Sequence, residues 1–552
     1  MSPRRSPRSY AVPVVLAATL AVTAACASPN AFGPSGPAVV RVAASTPTTG
    51  TATGDVDSVT WYGDYRPVVS LDPLKLSDYP EETVIPNLCE PLFRAAPDYT
   101  LSPGLATAYT VVDPLHVDLT IRTGVKFSDG KPMTADDVVF SLNRNLDPQV
   151  ASNYSYLFTR VKSITATGTH TVRIDFTEPD TTFKTALGVL AGAVVEKTFT
   201  QQAGQDFGSP QTGVRCTGPF TLGSYDGTSK LVLNSNENYW DPAHRAHAKT
   251  FTFVFPTDPS ALATGLSSGA IDGGFDIPGG LIAQLSSASN GKLYLGQEGS
   301  TPINVDIVLA KAGGTLGDPR VRQALSMALD RKAIGEKLFQ GAADALYKPT
   351  GPGFWGQHAG DYSPAYQSYE KPTDVAGAKK LVQAAGAGGK SFSFGYPTGD
   401  PQSVQLATVL KQTAESIGLA ANIVGLPSQQ YGALFNDPSA RKPYDAFLTK
   451  SYIELPEPLL MDKFYGAPEG AGNFSGYADK TVTDNLDQAT LTADPAARAK
   501  LVLTAEAQLA KDLPLIPVVQ PRAVVFLNSR LTGATLTFSY TTTAWAAAIG
   551  GN

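Results

Sequence analysis

The sequence predicts an α/β fold with more than one hydrophobic core, and three observations carry that prediction. Residues 116–144 read as strand, tight turn and helix. Residues 374–424 read as two helices followed by a strand. The chain has 552 residues, 42% hydrophobic and 17% charged, which exceeds what one core organises, since single cores stop growing at about 250–300 residues.

In the first stretch Val117, Leu119 and Ile121 alternate with His116, Asp118 and Thr120, the period of a half-buried strand. Phe127 re-enters the core before Ser128-Asp129-Gly130 turns the chain. Thr134 is placed to cap a helix that starts at Ala135. Asp136 and Asp137 fall in its first turn, where the dipole favours anions, and Val138, Val139 and Leu142 form its apolar stripe. Further on, Ile303 to Leu309 reads as a strand. Asp318 and Pro319 then supply an N-cap and a first-turn proline for a helix with Val321, Leu325, Ala328 and Leu329 facing inward. Helices over 374–385 and 402–417, the second stopped by Gly418, lead to a strand over 420–424. Residues 513–518 form another strand. Such alternation belongs to an α/β lobe.

A formal charge of −6 leaves no electrostatic footprint for nucleic acid. Arg4, Arg5 and Arg8 precede an apolar run from Ala11 to Ala25, the layout of an export signal too short to span a membrane as a helix. Thr23-Ala24-Ala25-Cys26 resembles a bacterial lipobox, with Thr23 where Leu or Val is usual; the alternative is an ordinary cleaved signal with a free Cys26. Residues 27–55 are rich in Ala, Ser, Thr, Pro and Gly and cannot form a core, so they read as a tether. Setting Cys26 aside leaves Cys89 and Cys216. An oxidising compartment would join this pair; if their Cα atoms stand more than about 7 Å apart they are two buried thiols.

The run Arg122 to Leu142, with RTGVKFSDG followed by TADDVVFSL, resembles the signature of the peptide and nickel class (family 5) of ABC-transporter solute-binding lipoproteins. Gly317 to Leu325, completed by Ala328, Asp330 and Arg331, resembles a second signature of that family. Leu71-Asp72-Pro73, Glu90-Pro91-Leu92, Leu101 to Ala108, Gly218-Pro219-Phe220 and Asn236 with Tyr239-Trp240 resemble others in the expected order. The resemblance implies a two-lobe periplasmic-binding-protein-like fold with an enlarged first lobe and a two-strand hinge near Pro302 and Ile516. The expected organisation is a signal over 1–25, a tether over 26–56, a first lobe over 57–302, a second over 303–514, and a return to the first over 515–552.

By the same resemblance, Tyr452 to Pro458 lies where peptide-specific members pair an acidic residue with a ligand ammonium. Glu454 holds that position, with Ser451 in place of the usual Trp. Tyr452, Tyr62, Tyr396 and Asn473 sit in segments that line the cleft in the family. Glu454 could equally be a solvated loop acid. Residues 396–401 offer no cation for a peptide carboxylate, which argues against strict dipeptide binding and for longer peptides held by their backbones.

Three motifs point to chemistry, and each has a plainer reading. Gly265-Leu266-Ser267-Ser268-Gly269 fits G-x-S-x-G, but residues 258–266 read as a helix where a nucleophile elbow needs a strand. Gly386 to Ser391 resembles a phosphate loop with the wrong spacing and the wrong flanking elements. His244 and His247 have a possible metal spacing but no third ligand beside them.

The expectation is therefore an exported, monomeric, non-catalytic peptide-binding lipoprotein. It would be anchored through Cys26 on the outer face of the cytoplasmic membrane, partnered by ABC permease subunits, and without metal or cofactor. The alternatives are an exported hydrolase using Ser267 or the His244/His247 pair, and a peptide-sensing lipoprotein without a transport role. Nickel chelate, haem and sugar ligands stay open beside peptides.

Overall fold

The computed structural model describes residues 42–75 and 78–552. The export signal, Cys26 and the start of the tether lie outside the described residues. Three sheets organise the rest. An eight-stranded sheet runs in the order 42–43, 291–295, 524–528, 273–274, 56–62, 248–254, 230–235 and 220–225. A four-stranded antiparallel sheet of 106–113, 116–121, 171–176 and 161–168 shares its hydrophobic core. Together they make the larger first lobe. A six-stranded sheet in the order 343–345, 515–521, 303–309, 446–452, 391–397 and 420–426 makes the second.

The local signals resolve as their chemistry dictates. Helix Ala135–Asn143 carries a full capping box in which Thr134 and Asp137 satisfy each other's backbone N–H groups, removing two orphan donors at once. Strand His116–Ile121 alternates buried and open positions. Helix Pro319–Ala328 is capped by Asp318. In the first lobe, Trp61 lies with its ring 4.9 Å from Trp545 and 5.1 Å from Phe275, all three buried. Trp545 arrives from the last turns of the chain and donates its indole N–H to the Thr83 carbonyl at 2.9 Å. The tail is thus part of the first lobe's core.

Scattered family motifs meet at one buried carboxylate. Glu90 accepts from the Tyr239 hydroxyl at 2.7 Å, the Trp240 indole at 2.9 Å, the Thr217 hydroxyl at 3.2 Å and Arg94 at 3.2 Å. A buried acid needs such a shell. Beside it Cys89 and Cys216 form a disulfide, with Cα atoms 4.8 Å apart.

Two crossings connect the lobes, and they run side by side. Strands Gly291–Leu295 and Val524–Asn528 pair antiparallel in the first lobe; strands Ile303–Leu309 and Leu515–Pro521 pair antiparallel in the second. Strand Leu515–Pro521 still belongs to the second lobe's sheet, so the return crossing falls between Pro521 and Val524. Between the sheets the segments are laced by the Gly296 N–H to the Ala523 carbonyl at 2.8 Å, the Ala523 N–H to Ser300 Oγ at 3.0 Å, and the Thr301 hydroxyl to the Pro521 carbonyl.

The disulfide spans 127 residues of sequence, for which chain entropy gives about 4–5 kcal/mol of stabilisation. Replacing both Cys89 and Cys216 with Ala is expected to lower the unfolding free energy of the first lobe by up to that amount, read as a fall in denaturation midpoint in urea.

Candidate functional site

One segment of the second lobe reaches into the first lobe's core. Strand Ala446–Tyr452 ends beside the hinge, where Tyr452 is the register partner of Ile303. Its side chain lies against the first lobe, with ring centroids 5.0 Å from Tyr79 and 5.3 Å from Phe538. The Tyr452 hydroxyl is buried without a hydrogen-bond partner. Leu455, 4% exposed, joins the first lobe's core. It fits because Gly188 has no side chain: a Cβ there would stand 3.1 Å from a Leu455 methyl.

Glu454 lies between these two anchors and is only 6% exposed. Around it, first-lobe residues Tyr156, Thr185 and Val189 and second-lobe residue Leu460 leave a cavity of about 10 Å³, roughly one water. Electrostatically, Glu454 and Glu82 both bear on Tyr452, whose phenol burial holds well above its usual range, and on the more open Tyr156. Glu82 is fully buried on helix Tyr79–Val84.

The other end of the interface is also acidic. Asp64 and Asp276, both half-buried, adopt left-handed backbone conformations with φ of 92° and 45°, costly for a non-glycine residue outside a demanding site. Burial, and secondarily Asp276, pushes the Asp64 carboxyl up to about 8; burial pushes Asp276 up to about 6 against a hydrogen bond from the Tyr540 hydroxyl. Tyr62, 5% exposed, sits in the field of both acids. Lys450 of the second lobe lowers both acids' pKa and pairs with Asp400 at 3.4 Å. Asp400 also caps helix Pro401–Ser416.

The predicted cleft residues therefore separate into groups. Tyr452 and Glu454 share one pocket edge, and Tyr62 belongs to the Asp64/Asp276 end. Tyr396 lies on strand Ser391–Pro397, with Gly425 as register partner. Asn473 has its side chain engaged within its own loop, donating to the Ala467 and Tyr477 carbonyls at 3.0 and 2.7 Å and accepting from the Tyr477 N–H at 2.8 Å. Sequence reasoning missed Tyr156, Asp64, Asp276 and Lys450. Only the Lys450 position, two residues before Tyr452, carried a local signal.

The motifs suggestive of catalysis dissolve. Ser267 is exposed near the end of helix Pro259–Ser268, with no strand leading into it. His244 turns to Asp241 at 2.8 Å and His247 to Asp55 at 2.9 Å, so they do not converge. Among the described residues no cluster of three His, Cys, Asp or Glu side chains could hold a metal ion. Gly386 and Gly389, at φ of 61° and 74°, form the turn between helix Val375–Ala384 and strand Ser391–Pro397.

Residues 100–471 match the bacterial extracellular solute-binding proteins, family 5 (middle region). The chain belongs to this family. It is an exported solute-binding protein that holds its solute between two lobes, and it is not an enzyme. It is 28% identical over 422 residues to Protein XP55 of Streptomyces lividans, covering 73% of each chain. It is 25% identical over 475 residues to the glutathione-binding protein GsiB of Salmonella typhimurium, covering 84% of this chain and 89% of that one. The fold is that of the oligopeptide-binding protein AppA from Bacillus subtilis in complex with a nonapeptide (TM-score 0.76, 19% identity, 90% of this chain and 99% of that one). It also matches the Helicobacter pylori periplasmic binding protein DppA in complex with the peptide STSA (TM-score 0.74, 21% identity, 91% and 98%) and Campylobacter jejuni NikZ in complex with Ni(L-His) (0.75, 21%, 90% and 99%).

Behind the solute-binding protein's Tyr452 strand, Asp306 is fully buried with neither carboxylate oxygen hydrogen-bonded; Ser451 and Asn304 lie beside it. Burial pushes its carboxyl up to about 8. Its unfolded pKa is near 4, so the folded state keeps a proton that the unfolded state releases. Stability is full below pH 4 and declines as pH rises towards 8. Asp306→Asn is expected to remove that contribution to the decline, so that its unfolding free energy, followed by denaturation between pH 4 and 8, gains on the parent's by an amount on the order of a few kcal/mol.

Proposed function

We propose that this chain captures peptides by their free amine in the interlobe cleft and delivers them to an ABC permease. A monomer, it is held on the outer face of the cytoplasmic membrane by lipid on Cys26. The second lobe is residues 303–521 and the return to the first lobe begins at Val524; the tether expected over 26–56 ends before Val42, which pairs in the first lobe's sheet. The observation that carries the amine reading is the burial of Glu454 between lobes, at the place where the segment 452–457 enters the first lobe. A carboxylate so placed is stabilised by a cation, and a peptide ammonium arriving through the cleft is one. Tyr452 supplies an unpartnered hydroxyl beside it. Tyr62 lines the far end and Tyr396 a cleft wall, whereas Asn473 is spent on its own loop and takes no part.

Charge extends the reading to ligand length. Lys450 is already paired with Asp400 and faces Asp64 and Asp276 as well. Carboxyl groups outnumber the ammonium there, so this end does not suit a peptide carboxylate. Oligopeptides held by backbone hydrogen bonds, with the C-terminus beyond this point, fit better than dipeptides. Relatives with peptides bound in the same fold support the reading.

Calorimetric titration with a peptide mixture that binds the parent tests it. Glu454→Gln is expected to weaken binding by about ten- to a hundredfold, the range for a hydrogen bond to a charged group, and N-acetylated peptides should bind the parent equally poorly. Unchanged affinity in either case removes Glu454 from the amine site.

A further inference from the structure

A second tie between the lobes lies one helix away from Glu454. Thr181 follows the strand Thr171–Phe176 in the first lobe, and both its N–H and its hydroxyl donate to the Thr490 carbonyl, at 3.1 and 3.0 Å. Thr490 is in the last turn of helix Lys480–Leu491 in the second lobe, where carbonyls lack partners within the helix. Arg498, in the next helix Pro495–Asp512, donates to the same Thr181 hydroxyl at 3.3 Å. The other nitrogen of its guanidinium lies 3.8 Å from Glu457.

Glu457 caps helix Pro458–Gly466 by accepting from the Leu459 N–H, and it is the last residue of the segment that enters the first lobe. Its side chain and that of Arg498 are each 11% exposed. Breaking such a buried pair is costly because the remaining charge has no counter-ion. Near the start of its own helix, moreover, an arginine opposes the dipole. Its placement is explained by what it reaches, not by the helix that carries it.

We infer that Arg498 is a positioning residue that fastens the closed cleft: its guanidinium joins Glu457, at the end of the ligand-contacting segment, to Thr181 on the opposite lobe. The inference rests on the reading of 452–457 as that segment. Arg498 acts on the cleft through Glu457 and Thr181. The Glu457 contact lies within the second lobe and keeps the guanidinium oriented. The Thr181 contacts exist only when the lobes meet, so part of the closing free energy comes from a clasp that is independent of the ligand's side chains. That is suited to a protein accepting varied sequences.

The test is hydrogen exchange on the full chain saturated with the peptides of a tryptic casein digest, comparing the parent with Arg498→Ala, Thr181→Val and the double variant. In Arg498→Ala the Thr181 amide is expected to exchange about tenfold faster, as loss of a charge-assisted hydrogen bond allows. Amides of helix Ala135–Asn143 should stay as in the parent. Arg498→Lys should restore part of the protection, and the double variant should exchange no faster than the worse single variant. Unchanged Thr181 exchange in Arg498→Ala, or single effects that simply add, overturns the clasp. Glu454→Gln separates the two readings. Unchanged digest binding in that variant, together with lost Thr181 protection in Arg498→Ala, removes the amine site and keeps the clasp; the reverse pattern removes the clasp and keeps the amine site.

Discussion

Everything in the molecule depends on two chain segments that are hydrogen-bonded partners in both sheets. Because 291–295 pairs with 524–528 and 303–309 pairs with 515–521, the crossings between lobes cannot drift apart. Residues 296–301 and 521–523 lace them further. A connection of this kind resists separation of the lobes while leaving rotation about a short paired ribbon, the geometry of hinge closure. It also fixes where a ligand is felt. Tyr452 is the register partner of Ile303, so the segment that enters the first lobe begins at the hinge itself, and a small rotation there moves Glu454 and Leu455 directly.

The cleft's electrostatics follow from burying acids without enough cations. At the Tyr62 end of the interface, Asp64 and Asp276 share the nearby ammonium of Lys450, which is already bound to Asp400. In a low-dielectric cleft, carboxyl groups either find a positive partner or take up protons. Asp64 and Asp276 show the second response. A basic ligand offers the first. The same logic explains Glu90, whose buried charge is met by four donors and serves only to tie the first lobe together.

Much of this was legible in the sequence where the signals are local. The capping box at Thr134 and Asp137, the Asp318 cap and the strand alternation around Leu119 each need only neighbours a few residues away, and they resolved as written. The order of family signatures gave the two lobes. Long-range pairing was not legible. Tyr156 is nearly three hundred positions from Glu454, and nothing nearby marks it as a cleft residue. A search for a cation within 396–401 fails because the cation at Asp400 comes from another strand, at Lys450. The left-handed backbones of Asp64 and Asp276 have no sequence signature, since neither sits in a recognisable turn motif. The pattern at Ser267 misleads for the converse reason: five residues fit a motif whose meaning lies in the strand and helix around it.

The most direct test of the account is an interlobe distance. Spin labels at Val111→Cys in the first lobe and Lys332→Cys in the second, both exposed positions, report rotation about the paired crossings. Addition of peptides from a tryptic casein digest should convert a distribution with a longer-distance component into a single shorter distance. One distance, unmoved by the peptides, would contradict closure about the hinge.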